Sequence, residues 1–89
     1  VKITYECTGL SLDGTTDLEQ VKKDFKAAVA LVYDKAKNDS LLRYNDVRPL
    51  LSEISGVKDF ATFTMNGGTT NIKLAQEEYP ETGDMVFTE

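Results

Sequence analysis

Histidine and tryptophan are absent from this chain of 89 residues, cysteine occurs once and proline twice. Without an imidazole there is no base for a serine or cysteine nucleophile, so Cys7 has nothing to activate it. A single cysteine also excludes an internal disulfide and a thiolate zinc cluster. No run approaches the roughly 18 apolar residues of a membrane helix. No basic stretch followed by an apolar one marks an export signal. Positive charge is scarce too: 10 basic against 15 acidic residues leave a net charge of −5, a surface that repels phosphate backbones. The one loose group of lysines, Lys22, Lys23 and Lys26, is interrupted by Asp24 and reads as a solvated helix face. The expectation is a chain that binds neither nucleic acid nor membrane.

What is present is ordinary for a folded protein. A content of 40% hydrophobic and 28% charged residues argues against disorder. A chain this short buries roughly 60–65% of its unfolded surface, enough for one core and too little for a deep catalytic cavity. Residues 1–89 therefore read as a single compact domain, monomeric in isolation. The start at Val1, with no initiator methionine, reads as a cut from a longer polypeptide.

The opening "VKITYECT" alternates, with Val1, Ile3, Tyr5 and Cys7 on one side and Lys2, Thr4, Glu6 and Thr8 on the other. Period-2 alternation predicts a half-buried strand with one wet face, and places the Cys7 thiol in the core. "GLSLDGTT" breaks the pattern and predicts a loop, with room for a short strand at Leu10 and Leu12. Then Leu18, Val21, Phe25, Ala28, Val29, Val32 and Ala36 recur at spacings of three and four, the stripe of an amphipathic helix of about 22 residues. Thr16 with Glu19 reads as its capping box.

A second, shorter helix is expected from Val47, Leu50, Leu51 and Ile54, with Asn45 as N-cap, Pro49 in the first turn and Gly56 closing it. Asn38-Asp39-Ser40 matches a glycosylation sequon formally, and nothing in the chain implies secretion. Next, Ala61, Phe63 and Met65 alternate, and Ile72 and Leu74 alternate beyond "NGG". Two such runs predict a hairpin with a five-residue loop over residues 66–70. "PETGD" marks a turn, and "MVFT" a last short strand. The fold class expected is α+β: β-α-α-β-β, with a possible final strand, in two layers, both helices on one face of a small mixed or antiparallel sheet. The opposite face would carry Thr4, Thr8, Thr62 and Thr64.

Chemistry-bearing constellations are missing. "NGGTTN" joins strand to strand and lacks the lysine and the strand-to-helix context of a phosphate loop. Asp13, Asp17 and Glu19 fail the spacing of a calcium loop. Glu77, Glu78, Glu81 and Asp84 form an acidic stretch with no interleaved base; paired carboxylates need a cleft that splits their pKa values before they do acid–base work. No catalytic, cofactor-binding or metal-ligating residue is assigned. The use open to that acidic stretch is charge complementarity with a basic partner.

The order of these pieces, "TTDLEQV", "RYNDVRPLLSEISGVKDF", "MNGG" and "TNIKLAQEEYPETGDMVF", resembles the C-terminal region of baseplate J-like proteins of contractile phage tails. The likeness is to the XkdT type of Gram-positive prophages in particular, and it runs over nearly the whole chain. It implies a structural part of the tail baseplate, working in wedge assembly with other baseplate and tail proteins. It also implies no enzymatic activity, a place at the end of a longer protein, and a location in the virion tail after assembly in the bacterial cytoplasm. Contact candidates, chosen for exposure and strand-edge character, are Asn66, Gly67, Gly68, Thr69 and Thr70 at the turn, and Glu77, Glu78, Glu81 and Asp84 near the end. The alternatives are an intracellular adaptor or regulatory module with a ferredoxin-like sheet, and an enzyme subdomain.

Overall fold

The computed structural model describes all of residues 1–89. In chain order the elements are β1 (Lys2–Thr8), β2 (Ser11–Leu12), α1 (Leu18–Asp39), β3 (Leu41–Leu42), α2 (Tyr44–Ser52), β4 (Val57–Asp59), β5 (Thr62–Met65), β6 (Ile72–Lys73) and β7 (Glu81–Phe87). The expected α+β class is observed. Its main sheet has the order β5-β1-β7, with β5 antiparallel to β1 (Tyr5 opposite Met65, Cys7 opposite Phe63) and β7 parallel to it (Lys2 opposite Glu81, Cys7 opposite Phe87).

Alternation decides which face of this sheet is covered. Ile3, Tyr5, Cys7, Phe63, Met65 and Phe87 are buried, whereas Lys2, Glu6, Thr8, Thr62 and Val86 are exposed. Val21, Phe25, Val29, Tyr33 and Ala36 of α1 and Val47 and Leu51 of α2 complete the buried layer. Phe25 sits at its centre. Its ring meets one aromatic from each of the three strands: Tyr5 at 5.3 Å, Phe63 at 5.8 Å and Phe87 at 5.6 Å between centroids. All three contacts have the edge-on geometry that aromatic quadrupoles favour.

Helix α1 starts one residue later than the Thr16 capping box predicts. Asp17 is the cap, accepting from the Gln20 amide at 2.8 Å. The Asp13 carboxylate already takes the Thr15 and Thr16 amides, at 2.9 and 3.0 Å, so the chain is still turning at Thr16. Helix α2 departs further from expectation. Its first residue is Tyr44, and Arg43 at the cap position makes no side-chain cap bond. The Tyr44 amide is instead satisfied from a distance by Asn71 Oδ1 at 2.9 Å. Pro49 therefore falls in the second turn, not the first. Its missing amide leaves a carbonyl of the exposed first turn to water, and the Asp46 amide reaches back only three residues, to the Arg43 carbonyl at 3.1 Å, the tighter 3₁₀ spacing. Gly56 adopts the expected left-handed conformation, φ 94°, in the turn after α2.

The predicted hairpin is corrected in two ways. The turn is tight: Met65 and Gly68 exchange both backbone hydrogen bonds, at 2.9 and 3.1 Å, around Asn66 (φ 50°) and Gly67 (φ 78°). Two successive left-handed residues, Asn then Gly, make the type I′ turn. The second run then fails to return along β5. Ile72 and Lys73 pair with Leu42 and Leu41 in a separate two-stranded ladder, which brings Leu74 into the core beside Leu42. Alternation identified both runs as strands but carried no information about partners. The free edge left by the buried Leu42 after α1 won the second one.

Candidate protein-contact surfaces

At the tip between β5 and β6, Asn66, Gly67, Thr69 and Thr70 are exposed and Gly68 is half-buried. Asn66 does more than turn the chain. Its amide donates to the Thr4 carbonyl at 2.8 Å, and its Oδ1 accepts from the Thr4 amide at 2.8 Å, so the side chain finishes the β1–β5 ladder as a further backbone pair would. The tip is therefore anchored to the start of β1.

The acidic stretch is divided in use. Glu77 is exposed, while Glu78 is half-buried: its carboxylate accepts from the Ala75 amide at 2.7 Å, and Lys37 Nζ donates to the Glu78 carbonyl at 2.8 Å. Glu78 thus folds its own loop and offers little to a partner. Glu81 and Asp84 are exposed on β7, neither in an ion pair. Asp84 lies in the irregular step where the register slips between Ile3 and Tyr5. Asn66 lies level with Thr4 and Glu81 with Lys2, so tip and acids occupy the same end of the sheet on opposite sides of β1. Two strand spacings, about 10 Å, separate them.

The threonine face is present on the uncovered side. Thr8 and Thr62 are exposed and their hydroxyls bond to each other, while Thr4 and Thr64 are half-buried. Val86, 51% exposed, adds an apolar spot to it.

Sequence reasoning missed a cleft of about 350 Å³ between α1 and the start of β7. Lys26, Ala30 and Tyr33 form one wall, at helical spacings of four and three; Tyr79, Pro80 and Glu81 form the other. Tyr79 bridges the mouth, its hydroxyl donating to Asp34 Oδ1 at 2.7 Å; that bond, before burial, holds the Tyr79 pKa above the ordinary phenol value. Deeper in, the hydroxyls of Tyr33 and Thr82 stand 2.8 Å apart and those of Tyr33 and Tyr5 2.7 Å apart. Burial raises the pKa values of both Tyr33 and Tyr5, so the relay is neutral and structural. Tyr33, eight residues from Phe25 on the same stripe, was the one available signal; its partners lie 28 and 49 residues away in sequence. The Cys7 thiol is also pushed up, to about 11, by burial. No three His, Cys, Asp or Glu side chains gather as a metal site would require, and no helix is long and apolar enough to cross a membrane.

The family model of the Baseplate J-like protein C-terminal domain matches residues 1–88. The chain belongs to this family. No curated protein matches it. Membership supports a structural role in the phage tail baseplate, in the company of other tail proteins. The baseplate J-like domain thus carries an anchored tip, a polar face and an acidic strand edge.

Proposed function

We propose that this baseplate J-like domain acts in wedge assembly of a phage or prophage tail, of the XkdT type, through protein–protein contacts and without an enzymatic step. It would close a longer wedge protein, fold in the bacterial cytoplasm and end in the virion baseplate. The observation that carries this reading is the family match over residues 1–88. The surface is in keeping with it, because the exposed features are strand edges, a rigid turn and unpaired carboxylates, all recognition devices of protein interfaces. The contact candidates are Asn66, Gly67, Thr69, Thr70, Glu77, Glu81 and Asp84, all exposed.

The test is made in particles. Phage propagated with the coding region for residues 1–89 deleted should yield tails lacking assembled baseplates, seen by negative-stain microscopy. An antibody to the domain should label the distal end of intact tails. Normal baseplates in the deletion strain, or particles without the domain, would remove this reading.

A further inference from the structure

We propose that the outer edge of β7, together with the cleft beside it, is a docking groove for an extended segment of another tail protein. That segment carries lysine or arginine and adds to the sheet as a fourth strand. The inference rests on the wedge-assembly reading and names the surface and partner chemistry that reading leaves open.

The two edges of the main sheet are not equivalent. The β5 edge is closed, because Met65 is spent on Gly68 and the Tyr44 hydroxyl donates to the Phe63 carbonyl. At seven residues β7 is the longer edge, and its only strand partner is β1. The backbone bonds at its two ends, Glu81 N to the Val1 carbonyl and Thr88 N to the Cys7 carbonyl, both run toward β1. Its other side presents unpaired amides and carbonyls, the template for strand addition.

A strand laid on that side lies alongside α1, where the cleft receives its inward side chains. Ala30 leaves the room, and the Tyr79 ring, 48% exposed, supplies the apolar wall over the buried Tyr33 and Pro80. Such a wall suits the methylene stem of a lysine or arginine, whose head then reaches the free Glu81 carboxylate. Glu77, Asp84 and Asp34 add acid to the same side. Of the nearby cations, Lys37 is held by the Glu78 carbonyl and Lys2 lies level with Glu81 on β1 without pairing to it, which leaves Lys26 in the cleft wall. Charge also argues against a second copy of this chain as the occupant. Two β7 edges paired antiparallel over their full length would bring Asp84 against Asp84, and a shift of register would set Glu81 against Asp84. Like charges opposed across strands destabilise pairing.

Peptides of about 15 residues, tiled across the other tail proteins of the same phage, provide the probe. Affinity is read by fluorescence anisotropy on the 89-residue chain, and amide hydrogen exchange is followed by NMR. The expected result is binding by peptides rich in lysine or arginine, with slowed exchange confined to the outward amides of β7. Ala30→Trp, which fills the cleft from an exposed position, and Glu81→Lys with Asp84→Lys should each weaken binding about tenfold or more. Glu53→Lys, on the far side, should leave it unchanged. Binding that protects the Asn66 tip or the threonine face instead overturns the groove and leaves wedge assembly standing. So does binding of intact tail proteins with no peptide retained. Concentration-dependent protection of β7 without peptide identifies a second copy as the occupant and overturns the partner. Failure of wedge assembly itself is read separately, in the particles of the deletion strain.

Discussion

Four side chains decide most at the scale of single residues. Phe25 touches all three strands, so Phe25→Ala opens a cavity that no single strand can close; a loss of about 3–5 kcal/mol is expected and chemical denaturation measures it. The buried Tyr5 hydroxyl has Tyr33 as its hydrogen-bond partner, whereas Tyr33 also has Thr82. Tyr33→Phe should therefore cost about 1–3 kcal/mol by stranding Tyr5, and Tyr5→Phe should cost less. The double variant should cost less than the two losses added, because both ends of one bond leave together. Cys7 supplies a pH dependence. Its folded pKa is raised to about 11, so its contribution is complete below the unfolded value near about 8.5 and is lost as pH climbs toward the folded one. Urea midpoints measured from neutral pH upward should fall across that window, and Cys7→Ala should flatten the first part of the fall, below the range where tyrosines ionise.

Elements were legible where their signal is local. The β1 alternation and the α1 stripe needed only neighbouring residues, and both appear with the expected buried sides, except that Val1 lies outside β1 and is exposed. Caps were less legible because competing oxygens lie within a few positions: Thr16 and Asp17 both suit the start of α1, and Asp13 settles the choice. Asp17→Ala is expected to cost about 1 kcal/mol, with Thr16→Ala leaving helix content unchanged by circular dichroism. The start of α2 could not be read locally at all, since its cap is Asn71, 27 residues away. The turn at Asn66 and Gly67 was visible as a dipeptide, but its tightness depends on the Met65–Gly68 pair. Gly67→Ala meets no neighbouring atom yet must hold φ 78°; a loss of about 1 kcal/mol is expected from backbone strain alone, read as a drop in melting temperature.

Pairing between distant segments is where sequence reading ran out for the whole molecule. Parallel β1 and β7 lie at opposite ends of the chain, and β3 finds β6 across α2, β4 and β5; neither choice leaves a mark in composition or period. The cleft shares that illegibility, since its walls come from residues 26–33 and 79–82. The candidate residues at the tip and on β7 were visible as turn and acid chemistry. Their division into anchored, folded-in and free groups required the pairings. Because the core closes only when Phe87 arrives beside Phe25 and Cys7, a chain ending at Gly83 should fail to fold, with loss of cooperative unfolding by circular dichroism.

The parallel pairing of first and last strands also gives the domain a mechanical direction. Val1 stands at one end of the β1–β7 ladder and Glu89 beyond the other. Tension between those two points slides one strand along the other, so the bonds of the ladder resist together. Tension between Val1 and Asn66 acts at one shared end of the antiparallel β1–β5 pair and opens it bond by bond, as a zip. Stretched along its own polypeptide the domain is a stiff link; pulled across the sheet it is a weak one.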